Sequence, residues 1–344
     1  MSDLPAPASD GPVLRIEDLS VAFDSGRRLT ALSHVSITVG RAEIVGVVGE
    51  SGCGKSLTAL SVMGLLPRNA SITGGTIALE EVDLRLLSER QKRDLRGRRV
   101  AMVFQEPMVA LNPLMRAGPQ VTEVLTVHGL MNRSQRKERA MALFREVGLP
   151  DPAARFRQYP HQLSGGMRQR VMIAMGLAAE PALLIADEPT TALDPTVQSQ
   201  ILQIFLDIRD RLGTSVLLVT HDMGVIAEVA DRVTVMYAGR VVESAPVEEV
   251  FHRPAHPYTA GLLASIPARN ASLDDAMELP TIPGRVPALS EITGGCPFAP
   301  RCARAQPRCL DEEPALLEAR TGHLAACWYP LERDDSALAA RRPT

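Results

Sequence analysis

The residues best suited to chemistry form a glycine-rich loop, GESGCGKS, at positions 49–56. The loop matches the pattern G-x-x-x-x-G-K-[ST] at every fixed position. Its glycines allow the backbone to curl until the N–H groups point at phosphate oxygens. Lys55 would reach the β- and γ-phosphates, and the Ser56 hydroxyl would coordinate Mg²⁺. The loop and the next residue are therefore candidate nucleotide-binding residues: Gly49, Glu50, Ser51, Gly52, Cys53, Gly54, Lys55, Ser56 and Leu57.

Phosphoryl transfer also needs a carboxylate for the metal and a group that orients the attacking water. The segment ALLIADE supplies both, because Asp187 ends an apolar run and Glu188 follows it. His221 directly follows the apolar run SVLLVT, and Gln105 directly follows VAMVF. Each of these side chains could instead be an ordinary polar residue at a strand end. Their catalytic interpretation therefore depends on the phosphate loop.

The elements that must position these residues are short apolar runs. IVGVV (44–48) is a continuous β-branched run, typical of a strand buried on both faces. VAMVF (100–104), ALLIAD (182–187) and SVLLVT (215–220) are further strand candidates. The loop lies between IVGVV and a predicted helix, LTALSVMGLL, and this context disfavours a chance glycine turn. Strand ends at the carboxyl edge of such a sheet face a ligand crevice.

Other segments predict elements around this sheet. LRIEDLSVAF and LTALSHVSITV alternate apolar and polar residues, which indicates an antiparallel hairpin. Apolar residues at i, i+3, i+4 and i+7 from Ala140 to Val147 predict a helix that stops at Gly148. A second helix is predicted from Pro195 to Leu212, with Asp194 as its N-cap.

Length and composition bound the class of protein. The chain has 344 residues, of which 45% are hydrophobic and 22% charged, with a formal net charge of −3. This length suggests two domains, or one core with an extension. Near-neutral charge argues against a dedicated nucleic-acid binder. No apolar stretch approaches the roughly 20 residues that cross a bilayer, and no signal peptide is visible, so a cytosolic chain is expected.

The five cysteines are unevenly distributed. Cys53 lies in the phosphate loop, whereas the other four crowd the proline-rich end as C-x5-C-x6-C-x17-C: Cys296, Cys302, Cys309 and Cys327. In a reducing compartment such a group suggests metal before disulfides. Four thiolates fit tetrahedral zinc or a 4Fe–4S cluster, and the spacing is diagnostic of neither.

A specific resemblance rests on LSGGMRQR (163–170), which looks like the signature motif of ATP-binding-cassette (ABC) ATPases. The order of the loop, Gln105, this motif, LIADEPTTALD and His221 is that of the family, over roughly residues 14–245. The resemblance implies an α/β fold: a RecA-like P-loop ABC ATPase core with an antiparallel β subdomain, a helical subdomain and a small cysteine-containing C-terminal extension.

The resemblance also implies roles. Phe23 would stack on adenine, although it could be only a hydrophobic plug. Gln105 would couple the γ-phosphate and Mg²⁺ to the helical subdomain, Glu188 would act as general base, and His221 would sense the γ-phosphate. Asp187 would join Ser56 and Gln105 at Mg²⁺. The signature residues, which would bind ATP held by a partner cassette in a head-to-tail dimer, are Ser164, Gly165 and Gly166.

A narrower resemblance comes from FQEPMVALNPLM, YPHQLSGGMRQRVMIAM, HPYTAGLLASIP and the tail GCPFAPRC. These segments are similar to ATPase subunits of dipeptide and oligopeptide importers, a branch that also serves nickel, glutathione and antimicrobial peptides. The expected domains are a disordered tail (1–11), the ATPase domain (12–245, helical subdomain about 106–175), the extension (246–331) and a second tail (332–344).

The branch implies an ATPase at the cytoplasmic face of the bacterial inner membrane. Its expected partners are a second ATPase (a paralogue or the same chain), two membrane-spanning permease subunits and an extracytoplasmic substrate-binding protein, with no nucleic acid. The resemblance favours 4Fe–4S over Zn²⁺ or no metal at the four cysteines. Two alternatives from other classes are a soluble ABC ATPase acting on DNA or ribosomes, and a metal-dependent interaction module with a degenerate ATPase.

Overall fold

The computed structural model describes residues 11–24, 26, 28–266, 281–292 and 294–332. The strands in these ranges are β1 (Leu14–Asp24), β2 (Arg28–Val39), β3 (Ile44–Val48), β4 (Ala70–Leu79), β5 (Val82–Asp83), β6 (Val100–Val103), β7 (Leu183–Asp187), β8 (Ser215–Thr220), β9 (Arg232–Tyr237), β10 (Arg240–Pro246), β11 (Leu317–Arg320) and β12 (His323–Ala325). The predicted tails, 1–11 and 332–344, lie almost wholly outside the described residues.

The helices are interspersed with these strands. They are α1 (Lys55–Met63), α2 (Glu89–Leu95), α3 (Pro107–Ala110), α4 (Ala117–Val127), α5 (Arg133–Glu146), α6 (Pro152–Arg157), α7 (Gly165–Leu177), α8 (Pro195–Asp207), α9 (Met223–Val229), α10 (Val247–His252), α11 (Pro257–Ala264) and α12 (Pro307–Asp311). None of the helices in the described ranges combines the length and apolar character needed to cross a membrane.

The central sheet has the strand order β11-β12-β10-β9-β3-β8-β7-β6. Strands β9, β3, β8, β7 and β6 are parallel, so their carboxyl ends meet at one edge. A separate antiparallel sheet has the order β2-β1-β4-β5. The predicted hairpin is confirmed, because β1 and β2 pair antiparallel.

Both faces of the parallel strands are buried, which explains their continuous apolar runs. On β3, Ile44 and Val48 belong to a core shared with the helices α4 to α9. Val45 and Val47 face the opposite way, into a core shared with β1, β2, β4 and α1. Alternate residues thus pack against two different layers, and this three-layer arrangement fits the expected α/β core.

The two predicted helices are observed, one with an irregular last turn. Helix α5 buries Ala140, Leu143 and Phe144 completely, as their spacing predicts. Asp194 caps α8 by accepting a hydrogen bond from the Val197 N–H. The predicted end at Leu212 is confirmed, since the chain stays helical to this residue and Gly213 caps it in the left-handed conformation, but the last turn, residues 208–212, is π-helical. The apolar face ends at Ile208, and the next residue, Arg209, instead pairs with Asp231 at 3.0 Å.

The C-terminal residues do not stand apart from the rest of the fold. Strand β12 pairs antiparallel with β10, with Glu243 opposite Ala325, and β11 pairs with β12. The extension therefore continues the central sheet beyond β10.

Candidate active site

The phosphate loop joins β3 to α1 and is shaped by two glycines. A Cβ atom at Gly49 would collide with the backbone carbonyl of Met236, so only glycine permits this close approach. Gly54 caps α1 with φ of 103°, in the left-handed region that favours glycine. The buried Lys55 ammonium lies over the loop and donates to the carbonyls of Gly49 (2.7 Å) and Glu50 (3.1 Å). The lysine is therefore placed where phosphate oxygens would meet the loop.

Ser56 and Asp187 bring two oxygen ligands together. Ser56 lies at the start of α1, and Asp187 lies at the end of β7. The Ser56 hydroxyl donates to Asp187 Oδ1 over 3.0 Å. Burial raises the pKa of Asp187, and the charge of Glu188 adds to this, while Ser56 and Lys55 lower it. Hydroxyl and carboxylate oxygens are the ligands that Mg²⁺ prefers. These two residues consequently fit a magnesium ion bound beside the loop.

Glu188 lies at the centre of the remaining polar groups. Its backbone has φ of 47°, a left-handed conformation that costs a non-glycine residue about 1–2 kcal/mol. Its carboxylate lies 3.2 Å from His221 Nδ1 and accepts from Gln105 Nε2 at 3.3 Å. Thr191 also donates to it, over 2.8 Å. The fold therefore brings together three residues that the sequence places at the ends of three different strands.

Thr191 is a contact that the sequence analysis missed. It lies within LIADEPTTALD, three residues after Glu188, and this short spacing indicates that its hydroxyl can reach the carboxylate. Its hydroxyl helps to fix the orientation of the carboxylate.

The signature residues lie elsewhere on the surface of the same chain. Ser164 is exposed and caps α7, where its hydroxyl accepts from the Met167 N–H at 3.3 Å. Gly165 and Gly166 form the first turn of this helix, whose N-terminal N–H groups suit an anion. An exposed anion-binding helix end can serve a ligand that another chain presents.

Phe23 is half-buried near the end of β1. Its backbone pairs with Leu29 on β2 and with Ala70 on β4. The ring is thus placed in the antiparallel sheet, and its predicted role at adenine stays a prediction.

Cys53 is fully buried within the loop. Burial raises the pKa of its thiol, although the nearby Lys55 ammonium, 3.7 Å from the sulfur, favours the thiolate. A neutral, inaccessible thiol reacts slowly, so the geometry gives little support to easy oxidation of this residue.

The other four cysteines line one cavity, together with His256, Phe298 and Trp328. Burial raises the pKa of Cys296 and Cys302, and raises that of Cys327 to about 11. Among the residues that the structure describes, no three or more His, Cys, Asp or Glu side chains are arranged to hold a metal ion. The cavity gathers the thiols without forming a finished metal site.

Comparisons with known proteins agree with this geometry. The profile of the ABC transporter family matches residues 32–191. The profile for the C-terminal region of oligopeptide/dipeptide transporters matches residues 242–309. A probable peptide ABC transporter ATP-binding protein of Sinorhizobium fredii is 49% identical over 318 residues, which are 92% of this chain and 94% of that protein. The chain belongs to the ABC transporter ATP-binding subunits.

Further relatives and solved cassettes extend the comparison. The dipeptide transport ATP-binding protein DppD of Escherichia coli is 45% identical over 96% of this ATP-binding subunit and 99% of its own length. The dimeric ATP-binding cassette MJ0796, bound to ADP and Pi after hydrolysis, has a TM-score of 0.62 and 27% identity over 68% of this chain and 98% of that one. Together with the family profile, these relatives show the expected RecA-like ABC core and an ATPase coupled to transport.

Proposed function

We propose that this ATP-binding subunit energises the uptake of di- or oligopeptides across the cytoplasmic membrane. The observation that carries the proposal is the peptide-transporter C-terminal region at residues 242–309, joined to a fully assembled phosphate loop, Asp187, Glu188 and His221. The named peptide-transport relatives, which match over almost their whole length, support the same cargo.

Each site residue at the carboxyl edge of the parallel strands contributes to ATP hydrolysis. Lys55 and the loop N–H groups hold the β- and γ-phosphates. Ser56, Asp187 and Gln105 would hold the Mg²⁺ that accompanies the nucleotide, and this ion would supply positive charge that offsets the phosphates. Glu188 orients the attacking water and accepts its proton. His221, 3.2 Å from Glu188, contacts the γ-phosphate. Phe23 stacks on adenine.

The signature residues Ser164, Gly165 and Gly166 act on ATP bound by a second cassette. Ser164 and Gly165 are exposed at the start of α7, and this exposure supports a head-to-tail dimer with a paralogue or a second copy of this chain. ATP would close this dimer and hydrolysis would open it, as in a ligand-biased two-state switch.

The membrane partners are two permease subunits, fed by an extracytoplasmic substrate-binding protein. Apolar side chains that follow Gln105 are exposed: Met108 by 52%, Val109 by 80% and Leu114 by 85%. Exposed apolar residues in one segment mark a protein contact surface. This surface would place the subunit at the cytoplasmic face of the membrane, with the cassette at 12–245 and the extension at 246–331.

The cysteine cavity is proposed to hold a 4Fe–4S cluster. The four thiols line the same cavity, and cysteine thiolates are the ligands of such clusters. Four thiolates also suit Zn²⁺, which is the alternative occupant. Iron, sulfide and zinc analysis of anaerobically purified protein tests this proposal, and a colourless, metal-free protein would refute it.

Uptake in a deletion strain tests the peptide cargo. We expect wild-type chain to restore uptake of labelled di- and oligopeptides, and Glu188→Gln chain to restore none. Nickel and glutathione uptake serve as comparison substrates. Restored uptake of either of these, without peptide uptake, would contradict the proposed cargo while leaving the ATPase assignment intact.

A further inference from the structure

The extension contacts the phosphate loop through a buried arginine. Arg301 lies between Cys296 and Cys302, in a short 3₁₀ turn at residues 299–301. Its guanidinium forms a bidentate ion pair with Glu50, the second residue of the loop, at 2.6 Å to Oε2 and 3.0 Å to Oε1. The arginine side chain is only 5% exposed, so the pair is shielded from solvent on one side. Bidentate arginine–carboxylate pairs are among the strongest hydrogen-bonded contacts.

Other contacts fix both partners of this pair. Arg301 Nε donates to the Pro283 carbonyl over 2.8 Å, and the guanidinium lies 5.7 Å from the centre of the Tyr237 ring. The Tyr258 hydroxyl, on α11, accepts from the Glu50 backbone N–H at 2.9 Å. Both the amide and the carboxylate of Glu50 are therefore held by residues that follow the cassette.

The charge of Glu50 explains why such a contact would matter for ATP. The Glu50 backbone carbonyl accepts a hydrogen bond from the Lys55 ammonium, so Glu50 belongs to the part of the phosphate loop that would receive the phosphates. A carboxylate at this point would repel a polyanionic nucleotide unless a cation compensates it. We propose that Arg301 is a positioning residue for ATP: it neutralises Glu50 and fixes the phosphate loop in its binding shape. The fold of the extension thereby sets the nucleotide affinity of the cassette.

Nucleotide binding by the full chain tests this role with a charge-rescue series. Arg301→Met should raise the dissociation constant for a fluorescent ATP analogue about tenfold, because Glu50 would then keep an uncompensated negative charge beside the phosphates. Adding Glu50→Gln to Arg301→Met should recover affinity to within about threefold of wild type, because no uncompensated carboxylate remains. Arg301→Lys keeps the positive charge but loses the bidentate contact with Glu50. This variant should therefore bind the ATP analogue with an affinity between those of wild type and Arg301→Met.

The chain contains a matched control. Arg240 and Glu313 also form a bidentate pair between the cassette and the extension, at 2.5 and 2.9 Å, but neither belongs to the phosphate loop. Glu313→Gln should leave nucleotide affinity unchanged. Cooperative thermal unfolding identifies the variants that fold. If Arg301→Met does not fold, the affinity of Arg301→Lys is compared with that of wild type instead. Wild-type affinity in every folded Arg301 variant, or a double variant as weak as Arg301→Met, would overturn the proposal.

Discussion

The cassette and the C-terminal extension hold their functional residues in different ways. In the cassette, Asp187, Glu188 and His221 stand at the ends of strands whose two faces are packed into large apolar cores. In the extension, short elements surround the cysteine cavity; Phe298 joins the apolar core of the cassette, and buried polar contacts add to this attachment. The difference teaches that site residues of the cassette can be changed without loss of fold, whereas a few buried polar residues contribute to the attachment of the extension.

Glu243 is the clearest of these attachment points. It is fully buried on β10 and accepts from the backbone N–H groups of Ala255 (2.6 Å) and His256 (2.9 Å). His323, on β12, lies 2.6 Å from the same carboxylate. One side chain thus joins the central sheet to two separate parts of the extension.

The largest effect is expected from Glu188→Gln, because this change removes the general base for ATP hydrolysis and leaves the packing of the cassette unchanged. Turnover should fall by about 100-fold or more, since a general base contributes roughly 10²–10⁴. ATP should remain bound and trap the closed dimer. Steady-state ATPase assays and size-exclusion chromatography with ATP measure both outcomes. Glu138→Gln, on the exposed face of α5, is the control, and unchanged turnover in Glu188→Gln would remove Glu188 from its role.

Glu243→Ala should show the opposite behaviour, with a loss of stability centred on the extension. Two backbone N–H groups and His323 would lose their buried acceptor, at a cost of about 2–4 kcal/mol. Thermal unfolding and limited proteolysis after residue 246 measure this loss.

Glu318→Ala is the matched control for that variant. Glu318 is an exposed carboxylate of the extension that accepts from a single backbone amide, of Gly322, at 2.8 Å. It should lose less than about 1 kcal/mol. Equal losses in the two variants would contradict the view that a few buried polar contacts attach the extension.

Cys53→Ala should have the smallest effect, although it lies inside the phosphate loop. The buried thiol contributes no charge at neutral pH, so turnover should stay within about twofold of wild type. Because its pKa is raised, alkylation in the folded protein should be slow at pH 7 and accelerate only above the usual thiol range near 8.5. Mass spectrometry of iodoacetamide-treated protein follows this reaction; rapid modification of Cys53 at pH 7 would show that the loop is open.

The same contrast explains what the sequence could predict. Continuous apolar runs reveal strands buried on both faces, and parallel pairing then places Lys55, Glu188 and His221 at one edge. The Arg301–Glu50 pair joins residues 251 positions apart, and no local spacing indicates it. Strand β11 (Leu317–Arg320) is short and largely exposed, so periodicity does not reveal that it continues the central sheet.

The central claim, an ATP site completed by the signature motif of a second chain, is tested most directly by ATPase activity measured against protein concentration. Activity per chain should be weak in dilute solution, rise with concentration as dimers form, and disappear when Ser164→Arg blocks the exposed end of α7. Robust, concentration-independent hydrolysis by a monomer, unchanged in Ser164→Arg, would contradict the account.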